Sequence, residues 1–178
     1  QQSLLFPYSQ GQLLVNSLMS FGEWSGVNSA YRDAPVSAEQ VLHPEKYLER
    51  EMPVPVSLPD VATALGQGWE EVYGDVMGEF FLRTYLETRT GSRAAALAAA
   101  GWGGDRFGLL EGPNGEQALV VLLAWDSERD AQEFFDAMDS SDSVQVEGFL
   151  GIQDDRVLWV LSPSRAIADS IRLALEGF

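Results

Sequence analysis

The amino-acid sequence predicts an α+β protein in which a helical N-terminal part is followed by a ββαββα antiparallel sheet with helices on one face. Apolar residues recur at helical spacing through most of residues 1–100, whereas residues 101–178 contain β-rich runs separated by turn residues. Strand pairs that alternate with helices build a sheet layer packed against a helical layer. We therefore predict two domains, a helical region at 1–100 and an α+β sheet domain at 101–178.

The first helices are expected close to the N-terminus. Tyr8–Phe21 and Trp24–Tyr31 each place apolar side chains on one helical face. Ser37 and Gln40 form a capping box, in which the hydroxyl accepts from a backbone N–H and the amide side chain reaches back. Pro44 interrupts the helix that follows, so this part is interpreted as a set of short amphipathic helices.

Prolines and glycines shape the rest of the helical part. Three prolines force an extended path over residues 51–60. The longest helical pattern follows at Trp69–Glu87, and an alanine-rich helix is expected at Ser92–Ala100. Gly74 and Gly78 lie inside the long pattern, where each costs about 1 kcal/mol relative to alanine. We therefore expect a neighbouring element to pack closely against these two glycines.

The sheet domain is predicted from β-rich runs and one strong turn signal. Asn114-Gly115 is a dipeptide that hairpin turns prefer. Ser127–Met138 and Ser164–Leu175 have the pattern of amphipathic helices, one after each pair of strands. The four strands are expected at Phe107–Glu111, Gln117–Trp125, Val144–Ile152 and Val157–Leu161.

The chain is strongly acidic. It has 27 Asp and Glu against 11 Lys and Arg, which gives a formal net charge of −16 over 178 residues. Nucleic acid would be repelled, so we predict no nucleic-acid partner, and an anionic membrane surface is disfavoured for the same reason. Such a charge fits either a cationic partner, most simply another protein, or plain solubility.

Cysteine and long apolar runs are both absent from the sequence. Without Cys the chain can form no disulfide, no cysteine-ligated metal site and no thiol nucleophile. No stretch of 18 apolar residues occurs, so no transmembrane segment is predicted, while peripheral membrane association is compatible with the composition. The chain starts at Gln1 without Met, which we interpret as a processed or trimmed start.

No catalytic constellation is recognisable. His43 is the single histidine, and one imidazole without cysteines argues against a zinc site, so we interpret it as a structural residue at a helix end. Neither a Gly-x-Ser-x-Gly elbow nor a P-loop occurs, and adjacent carboxylates lack the separation that a glycosidase needs. We therefore predict no enzyme activity, no cofactor, no metal and no catalytic residue in this chain.

The most distinctive local string follows Gly101. Its members are Trp102, Gly103, Gly104, Asp105 and Arg106. Glycines allow a tight turn, the indole can anchor that turn in a core, and the charged pair can fix it by hydrogen bonds. The string is interpreted either as a binding loop or as a structural connector between helix and strand, and the structural interpretation is favoured.

Four other tryptophans lie in amphipathic surroundings. Their spacing relative to apolar neighbours favours packing in a core over stacking on a ligand. These residues are Trp24, Trp69, Trp125 and Trp159.

Several strings together resemble a family of poorly characterised secreted bacterial proteins that are zincin-like, that is, peptidase-like. The most specific of them is the Ser-x-Glu-Gln-x-x-His-Pro string, and the Gly-Trp-Gly-Gly-Asp-Arg string after residue 100 fits the same family. The resemblance covers most of the chain. The matching residues, whose role is unknown, are Tyr8, Gly11, Trp24, Ser37, Glu39, Gln40, His43 and Pro44.

The resemblance implies that this chain corresponds to the region downstream of the metal-binding core. The His-Glu-x-x-His helix would lie before residue 1, and no catalytic residue of the family maps onto the present sequence. The chain would then be either a C-terminal fragment or a protein that kept this part and lost the catalytic one.

The functional prediction is a non-catalytic extracytoplasmic protein that is periplasmic, secreted or on the cell surface. It would bind another protein, for example as an accessory subunit of a membrane-associated complex. One alternative is the C-terminal fragment of a zincin-like metallopeptidase whose catalytic motif lies upstream. A second alternative is a small-ligand binding module with a pocket lined by Trp102 or Trp125.

Overall fold

The computed structural model describes residues 2–140 and 148–178 and confirms the α+β class. The chain forms two compact units. The helical unit comprises Gln1–Pro53 and Gly78–Phe80, and the sheet unit comprises Val54–Met77 and Phe81–Phe178. Residue 100, where the sequence predicts a domain boundary, lies inside the sheet unit. Within the described residues, no helix combines the length and the apolar character needed to cross a bilayer.

The helical unit contains three helices. The longest, α1, spans Gln2–Arg32 and is interrupted at Gly22 and Glu23. Its two pieces correspond to the two helices predicted there, but the first begins six residues earlier than expected. The others are α2 (Ala38–Leu42) and α3 (Pro44–Glu49), and the break between them falls at the predicted proline. The apolar core of this unit is small and contains Leu14, Leu18, Val27 and Tyr47.

The predicted capping box starts α2. The Gln40 backbone N–H donates to Ser37 Oγ at 3.1 Å. The Gln40 side chain also reaches back, but its Oε1 accepts from the backbone N–H of Val36 at 2.8 Å, one residue before the N-cap. The box therefore fixes both the first turn of the helix and the path by which the chain enters it.

The described part of the sheet unit contains one antiparallel sheet of five strands and the helices that pack on it. The strands are β1 (Glu70–Asp75), β2 (Trp102–Glu111), β3 (Gln117–Trp125), β4 (Phe149–Gln153) and β5 (Arg156–Leu161). Their order in the sheet is β1-β2-β3-β5-β4. The helices are α4 (Val61–Leu65), α5 (Gly78–Thr90), α6 (Ser92–Ala99), α7 (Glu128–Asp139) and α8 (Arg165–Ala174). The first residues of α5 belong to the helical unit.

The single long helix predicted over Trp69–Glu87 is wrong. Its first part is edge strand β1, which pairs with β2, and its second part is the start of α5. Gly78 has φ +74°, a backbone conformation that interrupts a right-handed helix. Gly74 is packed closely, as expected, because a Cβ there would collide with the guanidinium of Arg106. Pairing with a strand about 35 residues away therefore overrides the local helical spacing.

Two further strand boundaries differ from those predicted. Strand β2 begins at Trp102, five residues earlier than expected, and therefore includes the glycine-rich string. The third predicted strand, Val144–Ile152, corresponds to β4, and its residues 144–147 lie outside the described residues. The hairpin between β2 and β3 is confirmed, with Gly115 at φ +80° as its turn chemistry requires.

Helices cover both faces of the sheet, whereas the sequence predicts helices on one face. Val121 and Leu123 of β3 belong to the same core as Phe134 of α7. Val120 and Leu122 belong to a second core with α4 and α8. Because successive side chains of a strand point to opposite faces, a strand that is buried along nearly its whole length requires a layer on each side.

Candidate functional site

The exterior of the helical unit presents large aromatic side chains to solvent. Phe21, Trp24 and Tyr31 of α1 are all exposed, and Trp24 is 68 % exposed. Trp24 and Tyr31 are seven residues apart, so they lie on the same side of the second piece of the helix. A patch of exposed apolar side chains on a protein surface often marks an interaction site. We call these three residues the aromatic surface.

A kink in α1 separates Phe21 from Trp24. Gly22 has φ −145° and ψ 16°, and Glu23 has φ 50° and ψ −147°. A residue with a Cβ rarely adopts the latter conformation, which costs about 1–3 kcal/mol and persists only where the surrounding structure compensates for it. The kink changes the direction of the chain and leaves the aromatic residues on either side of a bend.

A groove lies at this kink. Its volume is about 220 Å³, and its walls are mostly apolar. Gly26 allows the close approach of the two pieces, because a Cβ there would lie 2.7 Å from the carbonyl oxygen of Leu18. The groove is lined by Leu18, Phe21, Gly22, Gly26, Ser29, Tyr47, Leu48 and Arg50.

The interior of the same unit is unusually polar. The only lysine of the chain, Lys46, places Nζ 2.7 Å from Glu39 Oε1 and 2.6 Å from Glu51 Oε1. Gln40 is also buried and donates from Nε2 to the carbonyl oxygen of Glu51 at 2.6 Å. Buried carboxylates and amides require such partners, because leaving one unpaired costs several kcal/mol. The helical unit thus has a buried polar cluster beside its small apolar core, and it exposes three large aromatic rings.

His43 makes the second polar contact of this interior. Its Nε2 lies 2.8 Å from Glu79 Oε1, and its Nδ1 lies 3.6 Å from Glu45 Oε1. The hydrogen bond to Glu79 raises the pKa of His43 above its ordinary value, although burial opposes the rise. Glu79 is only 1 % exposed, and its Oε2 has no hydrogen-bond partner within the described residues. His43 is therefore the group that compensates a buried carboxylate.

The structure places most of the family-string residues around α2 and α3. Ser37 caps α2, Glu39 and Gln40 are buried, and His43 is followed by Pro44 at the first position of α3. These residues therefore hold two short helices together. The remaining three, Tyr8, Gly11 and Trp24, lie on α1.

The sequence interpretation missed two partners of this polar interior. Lys46 and Glu79 lie 7 and 36 residues from the side chains that they pair with. Lys46 had a visible signal, since it is the single lysine of an acidic chain and lies seven residues after Glu39. Glu79 had none, because its pairing with His43 depends on the fold.

The Trp102–Arg106 string lies at the start of β2. Asp105 is buried and accepts two hydrogen bonds, one from Trp102 Nε1 at 2.9 Å and one from the backbone N–H of Met77 at 2.7 Å. The carbonyl oxygen of Gly103 accepts from the backbone N–H of Val54 at 2.7 Å. These contacts fit the structural interpretation of the string.

The remaining members of the string also make internal contacts. A Cβ at Gly104 would collide with the backbone of Val54, so only glycine fits there. Arg106 pairs with Glu71 of β1, with Nη2 2.7 Å from Oε1. Trp102 and Trp125 are each 2 % exposed, so neither presents its ring to a ligand without movement of the core.

Comparison with known proteins supports one relationship. No curated protein and no solved structure matches the chain. A family model described as "Domain of unknown function (DUF8575)" matches residues 65–177, which is most of the sheet unit and leaves α1 to α3 outside the match. The resemblance to zincin-like proteins stays a prediction. Because the match covers more than half of the chain, the protein belongs to the DUF8575 family.

Proposed function

We propose that this chain is a non-catalytic, extracytoplasmic accessory protein that binds a basic protein partner through its aromatic surface and the groove at the kink of α1. The observation that carries the proposal is the exposure of Phe21, Trp24 and Tyr31 on a unit whose apolar core is small. A chain gains nothing in its own stability from presenting these rings to water, whereas aromatic side chains dominate the binding energy of protein interfaces.

The size of the groove favours a protein partner over a small molecule. Small-ligand pockets generally enclose about 300–1,000 Å³. The groove at the kink encloses about 220 Å³ and is lined mainly by apolar atoms, with Arg50 at its edge already paired with Asp33. Such a space accommodates one apolar side chain of a partner, which is how anchor residues bind at interfaces.

The charge of the chain specifies the rest of the partner surface. With a net charge of −16, the protein attracts a partner whose contact region is basic around an apolar anchor. Added salt should therefore weaken binding, because screening removes the attraction between the two surfaces. Binding that is insensitive to salt would show that apolar contacts alone determine the affinity.

Photo-cross-linking in the cells that produce the protein tests the proposal. A photoreactive amino acid at position 24 is compared with one at Leu173 of α8, which is matched in exposure at 69 % against 68 % but lies in the sheet unit. We expect one discrete heterologous product from position 24 that is absent from position 173. Equal labelling from both positions, or labelling from neither, would contradict the proposal.

Substitution of the aromatic surface gives a quantitative measurement. Trp24→Ala combined with Tyr31→Ala should weaken binding of the cross-linked partner by at least tenfold, because aromatic anchors each contribute about 2 kcal/mol or more. The melting temperature should change little, since both side chains are exposed. The Leu173→Ala variant serves as the control for nonspecific loss of apolar surface.

Small-ligand binding is a second candidate, favoured by an open depression in the sheet unit. Its volume is about 440 Å³, which lies in the range of ligand pockets. Arg156 and Gln153 supply polar groups at its wall, and Leu122 and Phe178 supply apolar ones. A ligand there should raise the melting temperature of the wild-type protein and not of an Arg156→Ala variant. If ligands of varied chemistry change neither, this candidate is excluded.

A further inference from the structure

The first half of α1 carries no charged side chain. Every one of the 27 acidic and 11 basic residues lies at Glu23 or beyond, so residues 1–22 are neutral in a chain of net charge −16. This neutral segment is helical from Gln2 to the kink. It is therefore a part of the surface where the like-charge repulsion between two copies of the protein is weakest.

An exposed apolar seam runs along this neutral segment. It consists of Leu4, Tyr8, Gly11 and Val15, whose spacing of four, three and four residues is that of the contact positions in a coiled coil. Leu4 and Tyr8 are each 77 % exposed, and Val15 is exposed as well. A Cβ built on Gly11 meets no atom within 4 Å, so the space above this residue is open.

The same helix is anchored in the helical unit, and the seam ends at Val15 because Leu18, the next position in its spacing, is buried. The ring of Phe6 packs against Phe80 with centroids 4.2 Å apart, and Leu14 and Leu18 are buried in the core. Pro7 lacks the amide hydrogen that would continue the helical ladder at this point, and it stands beside the seam rather than in it. The seam thus faces solvent on a helix that is already anchored.

We propose that two copies of this chain pair through the seam of α1, antiparallel and related by a two-fold axis. In an antiparallel register that sets Tyr8 over Gly11 of the other copy, Leu4 opposes Val15. Each large side chain then meets a smaller position, and each contact occurs twice, as a two-fold interface requires. The two surfaces that meet are neutral, so the contact itself adds no like-charge repulsion.

The seam covers about two heptads, which sets the strength of the expected pairing. Stable interfaces bury about 1,200 Å² or more, and a short helical seam buries less. The dimer should therefore be concentration-dependent. Because the rest of both molecules is acidic, salt should strengthen the association, which is the reverse of the effect expected for a basic partner.

Sedimentation velocity over a wide range of protein concentration tests the pairing. The wild type should move from monomer toward dimer as concentration rises, and added salt should shift the transition to lower concentration. Tyr8→Glu should weaken association at least tenfold, since it places a carboxylate in the seam. Leu173→Glu adds the same charge at an exposed apolar position of α8 and should leave association unchanged. Circular dichroism confirms that both variants are folded.

Three outcomes would overturn the proposal. The first is a wild-type protein that stays monomeric at every concentration and salt level. The second is an equal loss of association in the Tyr8→Glu and Leu173→Glu variants. The third is a monomer that binds phosphatidylcholine vesicles through Tyr8, which would assign the seam to a lipid surface instead. None of these outcomes depends on the partner of the aromatic surface, so the two proposals fail independently.

Disulfide cross-linking tests the register. The natural chain has no cysteine, so single-cysteine variants Leu4→Cys and Val15→Cys can be mixed and oxidised without competing thiols. The antiparallel register predicts that the mixed 4–15 disulfide dominates over both homodisulfides. Dominant 4–4 and 15–15 products would overturn the antiparallel arrangement.

Discussion

Replacing Asp105 by alanine is expected to destabilise the sheet unit by about 3 kcal/mol or more. The substitution removes the acceptor of two hydrogen bonds and leaves Trp102 Nε1 without a partner in a buried site. A buried donor that loses its partner costs about 1–3 kcal/mol, and here two donors lose theirs. Urea denaturation followed by tryptophan fluorescence measures the change.

Two variants separate the contributions to this effect. Asp105→Asn keeps one acceptor oxygen and should cost about half as much as Asp105→Ala. Trp102→Phe removes only the indole donor to Asp105 Oδ2 and keeps the hydrogen bond from Met77, so its cost should be smaller than that of Asp105→Ala and should include lost packing. If Asp105→Ala unfolds at the same urea concentration as the wild type, the carboxylate does not hold the start of β2.

Replacing His43 by alanine should destabilise the helical unit by about 2–3 kcal/mol. The substitution removes the cation beside Glu79, whose carboxylate is almost fully buried. Breaking a fully buried pair costs about 3–5 kcal/mol, and the partial exposure of His43 reduces that value. Hydrogen exchange of the amides in α2 and α3 measures the loss locally.

The same pair predicts how stability depends on pH. The pKa of His43 is raised in the folded state by its hydrogen bond to Glu79, and Glu45 and Glu39 act in the same direction. A group whose folded pKa exceeds its unfolded value stabilises the protein fully below the unfolded value of about 6.5, and this stabilisation is lost as pH rises through the folded pKa. Protection of α2 and α3 should therefore decrease as pH rises from about 6.5 through the folded pKa of His43.

A Glu79→Gln variant is the matched control for this pH dependence. It keeps the size and burial of the side chain but removes the charge that raises the pKa of His43. The decrease in protection over this pH range should become much smaller in this variant. A pH profile identical to that of the wild type would show that the ion pair does not contribute to stability.

Local chemistry made parts of the fold predictable from the sequence. The capping serine of α2, the serine before α7 and the Asn114-Gly115 turn all act through neighbours within four residues. Strand β3 was predicted with correct bounds because its apolar run is long and ends in turn signals. Such elements depend on interactions that a short stretch of sequence contains in full.

Long-range pairing explains the main errors. Residues 70–75 have a helical spacing of apolar side chains, but the free edge of β2 offers backbone partners that an isolated helix lacks. Trp24 illustrates the same difficulty in the candidate site. Its amphipathic surroundings predict a core residue, as for the buried Trp125, yet the small core of the helical unit leaves it outside. Spacing indicates that a side chain can be buried, and the fold determines whether a partner layer exists.

The composition of edge strand β1 affects the tendency of the protein to aggregate at high concentration. An edge strand offers unpaired N–H and C=O groups to which a strand of another molecule can add, and such addition starts aggregation. Within its six residues β1 carries Glu70, Glu71 and Asp75. If β1 of a second copy paired with this edge, the carboxylates of the two strands would lie close together and repel each other. The net charge of −16 on each molecule adds to this repulsion. The acidic edge therefore opposes the addition of further strands, which is the first step of fibril formation.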